Sequence, residues 1–149
     1  NRHAVNSDWK NHVLVLGFGS AGDYVIQPFI ERGDLVVVVD EDPAVVAKLQ
    51  AKGKVTAIRG DGADRALLDQ LHARKSRVIL ASMRRTEEAA GVLKYVDGAA
   101  PVFARVFEPE DGERIESLGG IPILNSMASS EAFMSWYKTI GQDICNSKK

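Results

Sequence analysis

The sequence feature that most constrains the fold is a glycine-rich turn that separates a short apolar run from a helix-like segment. The apolar run is Val13-Leu14-Val15-Leu16, and the turn is Gly17-Phe18-Gly19-Ser20-Ala21-Gly22. The spacing G-x-G-x-x-G between a strand and a helix is typical of the first unit of a dinucleotide-binding fold. The first glycine permits the tight turn, the second lets the backbone approach a pyrophosphate, and the third allows close packing of helix on strand. The N–H groups that open the helix would then face the phosphates.

The rest of the chain alternates between short apolar runs and longer helix-like segments. We predict strands at Val13–Leu16, Leu35–Val39, Val55–Ile58, Val78–Ala81, Val102–Val106 and Ile121–Leu124. We predict helices at Ser20–Arg32, Pro43–Gly53, Asp64–His72, Thr86–Val96, Pro109–Leu118 and from Asn125 or Ser126 to Ile140. Pro28 should kink or shorten the first helix. The alternation predicts an α/β, Rossmann-like, doubly wound parallel six-stranded sheet of order 3-2-1-4-5-6 with helices on both faces.

The regular pattern leaves short segments at both ends of the chain. Residues 1–11 are mostly polar and aperiodic, and we interpret them as a linker or an expression remnant. Residues 12–140 form one predicted nucleotide-binding domain, and residues 141–149 form a tail. The start at Asn1 rather than Met suggests either a piece of a longer protein or a processed terminus.

Charge and cysteine content narrow the class of protein further. Lys and Arg number 19 against 20 Asp and Glu, and this net charge of −1 argues against a nucleic-acid binder that works by bulk electrostatics. Cys145 is the single cysteine, so no internal disulfide can form and a reducing compartment is expected. The apolar runs are too short to cross a bilayer. We therefore expect this chain by itself to be soluble and cytosolic.

An acidic residue follows the second predicted strand, roughly 20 residues after the first glycine of the turn. This residue, Asp40, can accept both ribose hydroxyls of an adenosine. A 2′-phosphate would meet Asp40, Glu41 and Asp42 together, which favours NAD or a simple adenine nucleotide over NADP. In the alternative interpretation the glycines only form a turn, and Asp40 only caps the helix that begins near Pro43.

Three further candidates lie at predicted strand ends, where open α/β sheets bind ligands. Asp61 either contacts the adenosine or belongs to a solvated turn. Ser82, with Met83, either faces the cleft or belongs to an ordinary loop. Arg105 either clamps a phosphate or carboxylate, or forms a structural ion pair with Glu108 or Asp111.

The sequence lacks the groups that a hydride-transfer enzyme of this fold needs. No Tyr-x-x-x-Lys pair occurs, and only one helix and a tail follow the sixth predicted strand. We therefore predict no catalytic residue. The three histidines do not show metal-ligand spacing, so no metal site is predicted either. Arg74, Lys75 and Arg77 form a basic cluster that is most simply a solvated loop.

The last predicted helix carries a continuous stripe of large apolar side chains. The stripe consists of Phe133, Trp136, Tyr137, Ile140 and Ile144. It either packs on the chain's own sheet or crosses to a second subunit. The excess of aromatic residues on a terminal helix favours a homodimer formed through this helix.

These motifs together resemble the nucleotide-binding lobe of bacterial potassium transport regulators, called RCK-N, KTN or TrkA-N domains. The resembling stretches are residues 12–22 and 38–43, Gly60-Asp61-Gly62, Val78-Ile79-Leu80-Ala81 and Phe103-Ala104-Arg105-Val106. The ending from Leu118-Gly119-Gly120 through Asn125-Ser126 to Ala132-Phe133 resembles the monovalent cation:proton antiporter-2, or Kef-type potassium efflux, branch. The resemblance covers about residues 11–140.

The resemblance implies a regulatory module attached to a transmembrane cation-transport domain, at the cytoplasmic face of the bacterial inner membrane. Such a module dimerises, binds NAD(H), AMP or a related adenine nucleotide, and opens or closes the transport path by a conformational change. The implied contacts are Gly17, Gly19 and Gly22 to the phosphates, Asp40 to the ribose and Asp61 to the adenosine side. Arg105 matches a position that some Kef proteins use to bind glutathione.

The residues leave two other functions open. One is a small NAD-dependent oxidoreductase or a fragment of one. The other is an interaction module that has the fold but binds no nucleotide.

Overall fold

The computed structural model describes residues 8–19 and 22–124, which form one sheet with helices on both faces. The six strands are all parallel and follow the order β3-β2-β1-β4-β5-β6. They are β1 (Val13–Leu16), β2 (Val36–Asp40), β3 (Thr56–Arg59), β4 (Val78–Ala81), β5 (Val102–Val106) and β6 (Ile121–Leu124). The predicted fold class and strand order are confirmed, and two strands, β2 and β3, begin and end one residue later than predicted.

Five α-helices connect the strands within the described residues. They are α1 (Gly22–Glu31), α2 (Pro43–Lys52), α3 (Arg65–Gln70), α4 (Thr86–Val96) and α5 (Pro109–Ser117). A short 3-10 turn at Ala73–Lys75 lies between α3 and β4. The helix predicted at Asp64–His72 ends earlier because His72 adopts a left-handed backbone, with φ of +55°.

The proline inside the first helix does not shorten it. Pro28 lies within α1, which continues to Glu31 before Gly33 ends it in the left-handed region, with φ of +83°. The N–H of Arg32 still donates to the carbonyl of Pro28 at 3.1 Å. The proline therefore removes one hydrogen bond within the helix but leaves the next turn intact.

Two apolar layers, one on each face of the sheet, hold the helices in place. On one face Ile26 and Phe29 of α1 and Val46 and Leu49 of α2 are buried against the odd-numbered residues of β1. On the other face α3, α4 and α5 bury side chains such as Leu68 against the even-numbered residues of β1. Because β1 is covered on both faces, all four of its residues are apolar and buried.

The amino ends of the strands form an edge, here called the amino edge, that is closed by internal polar contacts. The prediction of a solvated loop is wrong for Arg77, whose side chain is only 4% exposed and forms an ion pair with Asp34. Its N–H donates to the carbonyl of His12 at 2.8 Å, which draws the residue into the sheet. Arg74 stacks over the ring of Tyr95, with its guanidinium carbon 4.0 Å from the ring centroid.

Several predictions concern residues outside the described ranges. These are Ser20 and Ala21 of the glycine turn, the first part of the 1–11 segment and everything after Leu124. The last predicted helix, its apolar stripe and Cys145 belong to that final stretch. In the two described ranges no helix has both the length and the apolar character that crossing a bilayer requires.

Candidate functional site

The carboxyl ends of the central strands surround a cleft of about 640 Å³. A volume of this size is within the range of small-molecule and cofactor sites. Eight of the predicted site residues line it: Gly17, Phe18, Gly19, Asp40, Glu41, Asp61, Ser82 and Arg105. The structure therefore brings together residues from five strand ends, although their role in binding stays a prediction.

The glycine turn is packed directly against the loop that follows β4. Gly17 has φ of +83°, and a Cβ atom placed on it would lie 3.2 Å from the carbonyl carbon of Ser82. The N–H of Ser82 donates to the carbonyl of Leu16 at 2.8 Å, which holds the two loops together. Gly17 is needed both for its left-handed backbone and for this close approach.

The second glycine of the turn lies beneath the side chain of Arg105. A Cβ atom on Gly19 would be 3.3 Å from Nη1 of Arg105. Nη2 of Arg105 donates to the carbonyl oxygen of Ser82 at 2.5 Å, and the guanidinium also lies over the ring of Phe107. The guanidinium is thus fixed above the turn where a phosphate is expected. Burial, and after it the positive charge of Arg84, lowers the pKa of Arg105.

The third glycine makes room for an aromatic side chain of the same turn. A Cβ atom on Gly22 would lie 2.5 Å from Cδ1 of Phe18, which is an impossible contact. Gly22 therefore makes room for the Phe18 ring at the start of α1, and it is buried rather than part of the cleft surface. That Gly22 also allows close packing of helix on strand stays a prediction.

The carboxylate of Asp40 fixes the glycine turn and the turn before α2 at the same time. Its Oδ2 accepts a hydrogen bond from the N–H of Phe18 at 2.9 Å, and its Oδ1 accepts one from the N–H of Asp42 at 2.9 Å. Each carboxylate oxygen keeps further lone-pair capacity for a ribose hydroxyl. The alternative in which Asp40 caps the next helix is wrong, because Asp42 is the cap and accepts from the N–H of Ala44.

The remaining acidic residues of the cleft are exposed and belong to turns. Oδ1 of Asp61 accepts from the N–H of Ala63 at 2.8 Å, so the predicted turn exists and the side chain lines the cleft as well. Asp64, three residues later, does not line the cleft and caps α3 through the N–H of Ala66. Glu41 lines the cleft, and its carbonyl accepts from Nε of Arg59 at 3.3 Å.

Sequence reasoning missed a basic segment of the cleft. Arg84, Arg85 and Glu88 line it from the loop after β4 and the first turn of α4. The signal was present, because two arginines directly follow Ser82 and Met83 at a predicted strand end. Within the described ranges no group of three or more His, Cys, Asp or Glu residues is arranged to hold a metal ion.

Comparison with known proteins gives both a family and a fold. The TrkA-N domain profile matches residues 13–126. A curated relative, the Trk system potassium uptake protein TrkA of Streptomyces coelicolor, is 25% identical over 111 residues, which is 72% of this chain and 50% of that protein. The chain therefore spans about half the length of this relative.

Two solved structures illustrate the likeness of the fold. The GsuK channel bound to NAD has a TM-score of 0.70 and 24% identity, covering 79% of this chain and 22% of that one. The Kef C-terminal domain of Shewanella denitrificans in its AMP-bound form has a TM-score of 0.67 and 15% identity, covering 93% of this chain and 95% of that one. At these identities the likeness supports the fold alone.

Proposed function

The chain belongs to the TrkA-N domain family, and we propose that it is the nucleotide-binding regulatory domain of a potassium transport protein. The potassium uptake relative and the GsuK channel support the transport assignment. The ligand that we propose is NAD(H) or an AMP-type adenine nucleotide, because the two related structures are described as bound to NAD and to AMP.

One observation supports this proposal most directly: the carboxylate of Asp40, which we propose binds the ribose, is hydrogen-bonded to the glycine turn, which we propose binds the phosphate. Asp40 accepts from the N–H of Phe18, inside the glycine turn, so its unused lone pairs lie beside the turn. Arg105 stands over Gly19 in the same cleft. An adenosine whose ribose is held by Asp40 therefore has its phosphate next to exposed main chain and a guanidinium.

The same cleft explains how binding would change the conformation. Its walls come from the ends of β1, β2, β3, β4 and β5, so one ligand would contact the loops that follow several strands at once. A ligand that binds one arrangement of these loops more tightly shifts the population towards that arrangement. We propose that this shift opens or closes the transport path, without chemical turnover of the nucleotide.

Our proposals for the transporter branch, the location, the domain bounds and the dimer rest on the sequence. We propose membership of the monovalent cation:proton antiporter-2 branch and a position at the cytoplasmic face of the bacterial inner membrane, behind a transmembrane domain. We also propose that the domain spans residues 12–140 and forms a homodimer through its last helix. Ser20 and Ala21 complete the proposed phosphate turn.

Calorimetric titration of the 149-residue chain with AMP and with NADH tests the proposal. Asp40→Ala should weaken binding roughly 10-fold or more, because hydrogen bonds to charged groups contribute about 1.5–3 kcal/mol. Asp64→Ala is the matched control: it also removes a carboxylate that accepts from the backbone, but Asp64 does not line the cleft.

Three results would contradict the proposal. Absence of heat with every adenine nucleotide would favour an interaction module that only has the fold. Equal losses of nucleotide affinity in the two variants would show that Asp40 does not bind the nucleotide. Steady oxidation of NADH with simple carbonyl substrates would favour the oxidoreductase instead.

A further inference from the structure

The charged side chains of the cleft are separated by sign into two walls. Asp40, Glu41, Asp42 and Asp61 line the side formed by the ends of β2 and β3, here called the acidic wall. Arg84, Arg85 and Arg105 line the side formed by the ends of β4 and β5, here called the arginine wall. The strand order causes this separation, because β1 with its glycine turn lies between the two pairs of strands.

Two arginines of this wall, Arg84 and Arg85, have no carboxylate partner within the described residues. Arg77 and Arg114 each pair with a carboxylate in the described structure. In that part of the chain no carboxylate oxygen lies within 4.0 Å of the side-chain nitrogens of Arg84 or Arg85, and both side chains are exposed. Glu88 is the single acidic residue among the described lining residues of this wall.

The arginines of this wall also repel one another. Arg84 and Arg105 line the same cleft. Burial, and after it the positive charge of Arg84, lowers the pKa of Arg105. Like charges facing the same cleft raise the energy of the empty site. An anion placed between them removes that repulsion and gains charge-assisted hydrogen bonds.

We propose that Arg84 and Arg85 determine the ligand preference of this site, selecting adenine nucleotides that end in a second or third phosphate over AMP and over NAD⁺. The inference rests on the proposed nucleotide-binding function. With the ribose on Asp40 and the first phosphate over Gly19, any further group of the ligand extends towards the arginine wall. In ADP that group is a terminal phosphate with free anionic oxygens, whereas in NAD⁺ it is a singly charged phosphodiester that continues into a ribose and a cationic nicotinamide ring.

Titration of the whole chain with ADP, AMP and NAD⁺, at one ionic strength and without divalent cations, tests the preference. ADP should bind about 10-fold more tightly than AMP, since a charge-assisted hydrogen bond contributes about 1.5–3 kcal/mol. The R84Q/R85Q double variant should lose this advantage while AMP affinity changes less than about 2-fold. Both side chains are exposed, so the variant should fold, and the single variants should each lose part of the advantage.

The K48Q/K94Q variant is the matched control, because it removes the same charge from two exposed residues outside the cleft. Its ratio of ADP to AMP affinity should stay at the wild-type value. Equal affinity for ADP and AMP in the wild type would overturn the inference. An unchanged ratio of ADP to AMP affinity in the R84Q/R85Q variant would overturn it as well. A parallel loss of ADP and AMP binding would also overturn it. Absence of binding by all three nucleotides and NADH would instead overturn the proposed function itself.

Discussion

The two edges of the sheet use charged residues in opposite ways. At the amino edge, Arg77 is buried and paired with Asp34, and Arg32 lies 3.6 Å from the same carboxylate. At the opposite edge the side chains of Arg84 and Arg85 are exposed and line an open cleft. The ion pair of Arg77 therefore lies within the fold, whereas no carboxylate of the described residues pairs with Arg84 or Arg85.

We therefore expect fold stability to depend on the amino edge and ligand binding to depend on the carboxyl edge. Burying a charge is favourable only when its partner is retained, so removal of one member at the amino edge leaves an uncompensated buried charge. An exposed arginine on a cleft wall has water as its partner, and its removal costs the fold little. Substitutions at the two edges should thus change different measurements.

The largest expected effect is at the amino edge. Arg77→Met should lower the free energy of unfolding by about 3 kcal/mol, because Asp34 loses its buried partner and keeps only the longer contact to Arg32. Urea denaturation measures the loss. Arg84→Met is the comparison at the carboxyl edge and should change stability by less than about 0.5 kcal/mol. Similar losses of unfolding free energy in both variants would contradict the expectation that only the amino edge stabilises the fold through its charges.

An intermediate effect is expected in the glycine turn, where structure and binding meet. Gly17 and Gly33 share a φ of +83°, but only Gly17 has backbone atoms within contact of a Cβ atom. Gly33→Ala should cost about 1–2 kcal/mol of backbone strain. Gly17→Ala should cost more, since Ser82 must move, and it alone should weaken nucleotide binding.

Chemical denaturation and calorimetry on both glycine variants check this expectation. Equal losses of stability would show that the loops after β1 and β4 separate easily. Unchanged nucleotide affinity in Gly17→Ala would show that the cleft does not depend on their contact.

The smallest expected effect is the pH dependence of the amino edge. His12 is buried and its Nε2–H donates to the carbonyl of Leu71 at 2.8 Å. Burial lowers the pKa of His12 from 6.5, while the hydrogen bond to Leu71 opposes this change. Below pH 6.5 the unfolded chain therefore binds a proton that the folded chain does not, and stability falls as the pH decreases.

Unfolding free energies of the wild type and His12→Gln at neutral and mildly acidic pH isolate this contribution. The glutamine amide can still donate to the Leu71 carbonyl but does not titrate. The wild type should lose more stability on acidification than the variant. Parallel pH curves would mean that His12 does not contribute to the dependence.

The sequence predicted the arrangement of the main chain better than the surroundings of individual side chains. Short apolar runs between helical segments identified all six strands and their order, because parallel crossovers permit few topologies. The glycine turn and Asp40 were placed in one cleft for the same reason. The burial of Arg77 was not predicted, since nothing in its local sequence indicates that Asp34 lies beside it.

By itself the sequence determined the fold, the position of the cleft and the presence of an acid next to a glycine turn. These depend on hydrophobic periodicity and on glycine's backbone freedom, which are local properties. Three features became visible only in the folded chain. Gly22 makes room for Phe18, Asp40 accepts hydrogen bonds from two turns, and Arg84 and Arg85 line the cleft. These facts depend on which side chains the packed helices and loops bring within a few ångströms of each other, and sequence spacing does not encode that distance.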